Sequence, residues 1–176
     1  MDHTASGQGK GRTPRLALAG LLPELRAFAR FLAGSRAEAD DLVQEALLRT
    51  LRALDEGRVP EEALRPWCLG VIRNVFHEGL RARRREAAHR ANGAAEAAAA
   101  PPPASPQEAQ GEVRDLARAL QSLPPLLREA VVLVGAQGLS HEEAAAVCRV
   151  PVGTMKARVS RARQQLAKAF GRVEFA

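Results

Sequence analysis

The 176-residue sequence predicts an all-α protein: two small helical domains joined by a flexible Ala/Pro-rich linker. Three observations carry this. Aromatics make up 3% of residues and Tyr is absent, so a sheet's usual supply is missing, while strong helix formers dominate. Apolar residues recur three and four apart through most of the chain. The composition then breaks between Ala87 and Gly111, where AAHRANGAAEAAAAPPPASPQEAQG carries Pro101, Pro102, Pro103 and Pro106 and almost no large apolar side chain. Such a stretch cannot bury enough surface to offset its ordering entropy, and its Pro run is locally extended. The expected organisation is a disordered tail over 1–14, a first domain over 15–86, the linker over 87–111, a second domain over 112–170 and a short tail over 171–176.

In the first domain, Leu16 to Ala33 reads as a helix with Leu18, Leu22, Leu25, Phe28 and Leu32 on one face. Gly34 ends it and Ser35 starts the next. From Ala37 to Leu54, the residues Leu42, Val43, Ala46, Leu47, Thr50, Leu51 and Leu54 form an apolar stripe, which leaves Asp40, Asp41, Gln44, Glu45, Arg49 and Arg52 on the other faces. Gly57 and Pro60 mark a loop. A third helix follows, with Leu64, Trp67, Cys68, Val71, Ile72, Val75, Phe76 and Leu80 at helical period and a basic end at Arg81, Arg83, Arg84 and Arg85.

Charge is segregated along the chain. Residues 36 to 62 hold eight acids against four bases, and 63 to 90 hold seven bases against two acids. The first surface suits a basic protein element and the second suits phosphate. A net charge of +6 and a pI near 10.5 agree with a polyanionic partner, because clustered Lys and Arg gain by neutralising phosphates and releasing counterions.

In the second domain, Val113 to Leu120 and Pro124 to Val134 read as helices, with Leu123, Leu126, Leu127, Ala130, Val131, Leu133 and Val134 as core. Ser140 followed by Glu143 forms a capping box that fixes the next helix start. His141 to Cys148 is then a short helix, Arg149 to Pro151 a tight turn and Val152 to Phe170 a second helix, which is helix-turn-helix spacing. Val152, Met155, Val159, Ala162, Leu166 and Ala169 face the core, and the rest of that helix shows five bases and no acid between 151 and 170. A helix of this kind enters the major groove. Ser160 and Arg161, with Lys156 beside them, are placed at base edges, and Arg158 and Arg163, which flank the exposed face, at phosphates.

Several chemistries find no support. Cys68 and Cys148 each lie in an apolar-periodic segment without a second Cys nearby, so both read as core residues rather than a redox pair or zinc ligands. Trp67 reads as core, and His77 and His141 as solvated or capping side chains. There is no nucleophile–base pair, Gly-rich phosphate loop, metal cluster or membrane-length apolar run. The expectation is a cytoplasmic protein that is not an enzyme and has no cofactor, bound metal, membrane or small-molecule substrate.

The runs EADDLVQEALLRTL (38–51), LRPWCLGVIRNVF (64–76) and LPPLLREAVVLVGAQGLSHEEAAAVCRVPVGTMKARVSRAR (123–163) resemble the extracytoplasmic-function sigma factors, and LVGAQGLSHEEAA resembles the subgroup that directs the general stress response. The resemblance implies that 15–86 binds core RNA polymerase and opens the minus-ten element, and that 112–170 reads the minus-thirty-five element. It puts Asp41, Gln44, Glu45 and Arg49 on the helix that docks against a coiled coil of the largest polymerase subunit. It puts Asn74 at the pocket for an extruded non-template base, Arg73, Arg81, Arg83 and Arg84 along phosphates, and Lys156, Ser160 and Arg161 at promoter contacts. The exposed acidic stripe and the basic helix, joined by a mobile linker, lead to the further expectation that an anti-sigma factor binds both domains and closes them around itself. Many relatives carry a larger apolar residue in place of Ser160, so no minus-thirty-five sequence is inferred. Two other readings compete. A sigma-like decoy that titrates an anti-sigma factor has no need for five bases in its last helix. A stand-alone helix-turn-helix regulator leaves the acidic second helix without a role.

Overall fold

The structure is a computed structural model and describes residues 9–91 and 111–170. Among the described residues there are seven α-helices and no strand: α1 (Gly9–Leu32), α2 (Arg36–Asp55), α3 (Leu64–Ala91), α4 (Gly111–Ser122), α5 (Pro125–Gly135), α6 (His141–Cys148) and α7 (Val152–Ala169). None is long and apolar enough to cross a membrane. Residues 1–8 of the tail expected over 1–14, the tail at 171–176, and residues 92–110 of the expected linker lie outside the described residues. Two boundaries differ from expectation. Helix α1 starts at Gly9 rather than Leu16, and α3 runs to Ala91, into the segment read as linker. Extending an existing helix adds one hydrogen bond for each residue fixed, so weakly patterned flanks join it readily.

Helices α1, α2 and α3 pack mutually. Ser35 caps α2, its hydroxyl accepting from the Glu38 N–H at 3.2 Å, and the Glu38 carboxylate accepts in turn from the Gly34 N–H at 2.9 Å. The bundle core is Leu25, Phe28 and Leu32 of α1, Leu42, Val43 and Ala46 of α2, and Cys68, Ile72 and Phe76 of α3. Leu69, outside the predicted stripe, is also fully buried. Helix α3 is packed on more than one side, by α1 and α2 and also by α6. Thr50, counted with the apolar residues, is buried 4.0 Å from the Cys68 thiol.

The second unit is built on α5 against α7, with α6 bridging them. Leu127, Ala130, Val132, Leu133, Met155, Val159, Ala162 and Leu166 fill its core, at roughly 1.5–3 kcal/mol for each fully buried large side chain. Leu126 and Ala169, expected inside, are exposed; Val132 takes the inward place, and Ala169 lies at the last turn of α7, beyond the packed stripe. The capping box forms, with Ser140 accepting from the Glu143 N–H at 3.1 Å and Glu143 accepting from the Ser140 N–H at 2.7 Å. That bond holds the Glu143 carboxyl below its ordinary range. Arg149 ends α6 in the left-handed region at φ 54°, where its N–H reaches the Ala146 carbonyl and the Val150 N–H the Ala145 carbonyl. This pair of bonds is a Schellman closure, and it is the turn of the helix-turn-helix.

The two units pack directly on each other through α1 with α4 and α5, and α3 with α6. The carbonyl end of α1 is satisfied from the other unit. Gln121 Nε2 donates to the Phe31 and Ala33 carbonyls at 3.2 and 2.6 Å, and buried Arg128 donates to the Leu32 carbonyl at 2.7 Å. Arg65 of α3 donates to the Gln137 carbonyl at 2.5 Å.

Candidate functional site

Three helix faces carry the residues singled out by the sequence. On α7, burial of Met155, Val159, Ala162 and Leu166 turns Lys156, Ser160, Arg161 and Arg163 to solvent. Lys156 Nζ is 3.9 Å from Glu142 of the support helix, and Arg161 Nε donates back to the Ala157 carbonyl at 3.3 Å. Arg158 stands apart. It lies three residues after Met155 and four before Ala162, on the flank of the core stripe, and its side chain is only 14% exposed, with Nη1 3.5 Å from the Glu129 carboxylate.

On α3, Asn74 lines an open cleft of about 340 Å³ together with Arg49, Trp67, Val71 and Glu78. Trp67 is half-buried and packs on the core as expected, and its indole N–H has no protein partner. Arg81 and Arg84 are exposed, and Arg83 is paired with Glu38. Arg73 is 14% exposed and, like Arg158, is turned onto Glu129: Nη2 donates to one carboxylate oxygen at 3.2 Å and Nε lies 3.1 Å from the other. The structure therefore sets Asn74 in an open cleft, leaves Arg81 and Arg84 exposed further along α3, and turns Arg73 away onto Glu129.

On α2, Asp41 and Gln44 are exposed and Glu45 is half-exposed. Arg49 is held between Glu45 at 2.7 Å and Glu78 of α3 at 3.0 Å. Glu78, then Glu45, raises the Arg49 pKa above its ordinary range, and Arg49 lowers that of Glu78. Leu48 is 52% exposed on this otherwise polar face. It was missed from the sequence, although its position off the apolar stripe was visible.

The reading of His77 as solvated or capping is overturned. Its Nε2 lies 2.5 Å from Glu129, which is completely buried. Its partner is 52 residues away in sequence, a separation that local spacing does not reveal. Both cysteines are buried and free. Burial pushes the Cys68 thiol up to about 11 and the Cys148 thiol, which also feels Glu129, up to about 12. A thiol whose folded pKa exceeds its ordinary 9.0 contributes stability that is complete below that ordinary value and is lost as pH rises through the folded one. Urea midpoints are therefore expected to fall between about pH 9 and 12, with Cys148→Ala flattening the decline. Neither native thiol should alkylate appreciably at neutral pH.

Two family profiles match these units, Sigma-70 region 2 over residues 18–86 and Sigma-70 region 4 over residues 114–166. The ECF RNA polymerase sigma factor EcfG of Rhodopseudomonas palustris (strain TIE-1) is 44% identical over 145 residues, covering 82% of this chain and 78% of the relative. The chain belongs to the ECF RNA polymerase sigma factor family. As an alternative sigma factor it binds core RNA polymerase and directs promoter-specific transcription initiation. Another relative of this sigma factor, SigE of Mycolicibacterium smegmatis, is 34% identical over 77% of this chain and 52% of its own length. Among solved structures, the sigma factor RpoE in complex with the anti-sigma factor NepR from Bartonella quintana superposes with a TM-score of 0.74 at 35% identity, covering 91% of this chain and 98% of that one. The anti-anti-sigma factor PhyR of the same organism shares the fold at 18% identity and a TM-score of 0.57, with 88% of this chain matched to 49% of that one.

Proposed function

We propose that this sigma factor serves a general stress-response regulon in the cytoplasm, without enzymatic activity, and that its three faces divide the work of initiation. Helix α7 reads the minus-thirty-five element, with Ser160, Arg161 and Lys156 at base edges and Arg163 on phosphate. Asn74 lines the cleft that receives an extruded non-template base of the minus-ten element, and Arg81, Arg83 and Arg84 follow phosphates. Asp41, Gln44 and Glu45, with Leu48 as an apolar centre, form the polymerase-docking face, and Arg49 of the same helix ties it to Glu78 of α3. The observation that carries this is the exposed face of α7, basic and free of acids, mounted on a capped helix-turn-helix. The likeness to an RpoE solved with NepR supports an anti-sigma factor as the regulatory partner.

In vitro transcription with core polymerase and a promoter library tests the assignment. Asn74→Ala is expected to lower promoter-specific transcripts by about tenfold or more, since a base extruded at a cost of a few kcal/mol loses its receptor. Arg161→Ala is expected to relax minus-thirty-five selectivity by roughly 10- to 100-fold, the worth of one good base contact. No transcript at all, together with tight anti-sigma binding, would instead make the chain a decoy.

A further inference from the structure

Helix α3 outruns the bundle that carries it. Phe76 is its last buried residue, Ala82 is half-buried, and every residue from Arg83 to Arg90 is exposed. That stretch, RRREAAHR, holds four arginines against one acid and no large apolar side chain. A helix that is polar all round joins no core and is stabilised by pairs along its own surface or by a partner. The Glu86–Arg90 pair at 3.9 Å is internal support of the first kind. The helix dipole accounts for His89 and Arg90, the bases of the last turn, but its effect fades within that turn. Arg81, Arg84 and Arg85 lie further in. Among the described residues Arg83 and Arg90 are paired with acids, and Arg84 and Arg85 are not.

Position around the helix axis separates these arginines. At about 3.6 residues per turn, Arg81 and Arg85 each fall within about 20° of Asn74, whereas Arg90 lies on the far side, about 160° round. Glu78 is on the Asn74 side too, but its charge is matched by Arg49 at 2.9 Å. The side of α3 that begins in the Asn74 cleft therefore continues outward as a basic edge from Arg81 through Arg85 to His89. That edge is ~12 Å long at about 1.5 Å per residue, or roughly three to four base-pair steps of about 3.4 Å. The chain continues from the outer end of α3 to region 4, the reader of the minus-thirty-five element, so that end faces the upstream DNA. We propose that Arg85, with His89 beyond it, grips phosphates of the duplex directly upstream of the minus-ten element, a contact with the spacer backbone outside both recognition elements. It fixes the register of region 2 on the promoter and carries no sequence information. The inference rests on the sigma reading of Asn74.

The test uses the full chain bound to core polymerase and two DNAs built on the strongest promoter of the library. Both present the minus-ten element as single strand and lack the minus-thirty-five element. The long DNA carries one turn of duplex upstream, ~10 base pairs, and the short DNA carries none. Affinity is followed against salt, where each duplex phosphate neutralised adds about 0.9 to the slope of log affinity on log salt. Arg85→Ala is expected to lower that slope by about one on the long DNA and to leave the short DNA unchanged. Arg85→Lys, which keeps the charge, is expected to keep the wild-type slope. Arg90→Ala removes the same charge from the opposite side of the helix and is expected to change neither DNA. An unchanged slope with Arg85→Ala overturns the proposal, as does an equal loss with Arg90→Ala, which would make the effect one of bulk charge. Equal loss on both DNAs also overturns it and assigns Arg85 to the single strand or to the polymerase. Asn74→Ala separates the two readings: if it weakens neither DNA while Arg85→Ala acts on the long one, the base cleft fails and the duplex contact stands.

Discussion

Arg128→Ala is expected to lower stability by about 3 kcal/mol, with the loss visible in both domains. The buried Arg128 guanidinium donates to the carbonyls of Leu32, Gln121 and Leu123 and to the Gln121 side chain at 2.7 to 3.2 Å, and burial lowers its pKa below the ordinary range. Hydrogen bonds from charged donors contribute about 1.5–3 kcal/mol each, offset here by the cost of desolvating the guanidinium. Truncation removes the donor and leaves at least two buried carbonyls unpaired. Trp67 is the sole tryptophan and lies in region 2, so its fluorescence separates the outcomes of a urea titration. A shifted Trp67 transition means the domains unfold together. A transition that stays in place while helicity is lost earlier means that the bond to Leu32 adds nothing across the interface. Arg128→Met, which retains bulk without charge, should recover part of the loss.

The second large effect is expected from Phe28→Ala, at about 3–5 kcal/mol. Phe28 is fully buried in the core shared by α1, α2 and α3, and its helix ends under Gln121 and Arg128. Hydrogen exchange followed residue by residue should therefore speed up at the slowest amides of α7 as well as those of α1, because sub-global opening of region 2 removes the platform on which region 4 rests. Unchanged protection in α7 would show that region 4 keeps its fold without that platform.

The helices and most core positions were legible because their signals are local. The Ser140–Glu143 box, the α7 stripe and the α2 stripe each repeat within a turn or two of helix. The exposed basic side of α7 followed from the same periodicity, whereas the place of Asn74 was read from the family likeness alone. What could not be read was the interface. Leu69, His77, Arg73 and Arg158 owe their surroundings to residues tens of positions away or to a second packed face, and no window of one helix contains that information. A partial signal existed in α5, where Arg128 and Glu129 interrupt an otherwise apolar run. Charges inside a buried helix require partners, and some of them, Leu32 for Arg128 and Arg73 and His77 for Glu129, proved to lie in the other domain. Leu126 failed for the opposite reason: α5 is apolar nearly all round, so periodicity alone does not say which leucine points out.

Gln121 and Arg128 finish a helix that was made long before them. Synthesis delivers α1 to α3 first, and roughly forty further residues separate the end of α3 from Glu129; at about 5–20 residues per second, that interval is ~2–8 s. Every newly made copy therefore passes through a brief youth in which the end of α1 is capped only by water and the His77 and Arg73 side of α3 stands uncovered. A partner competing for that side has its earliest opportunity while the chain is still tethered to the ribosome.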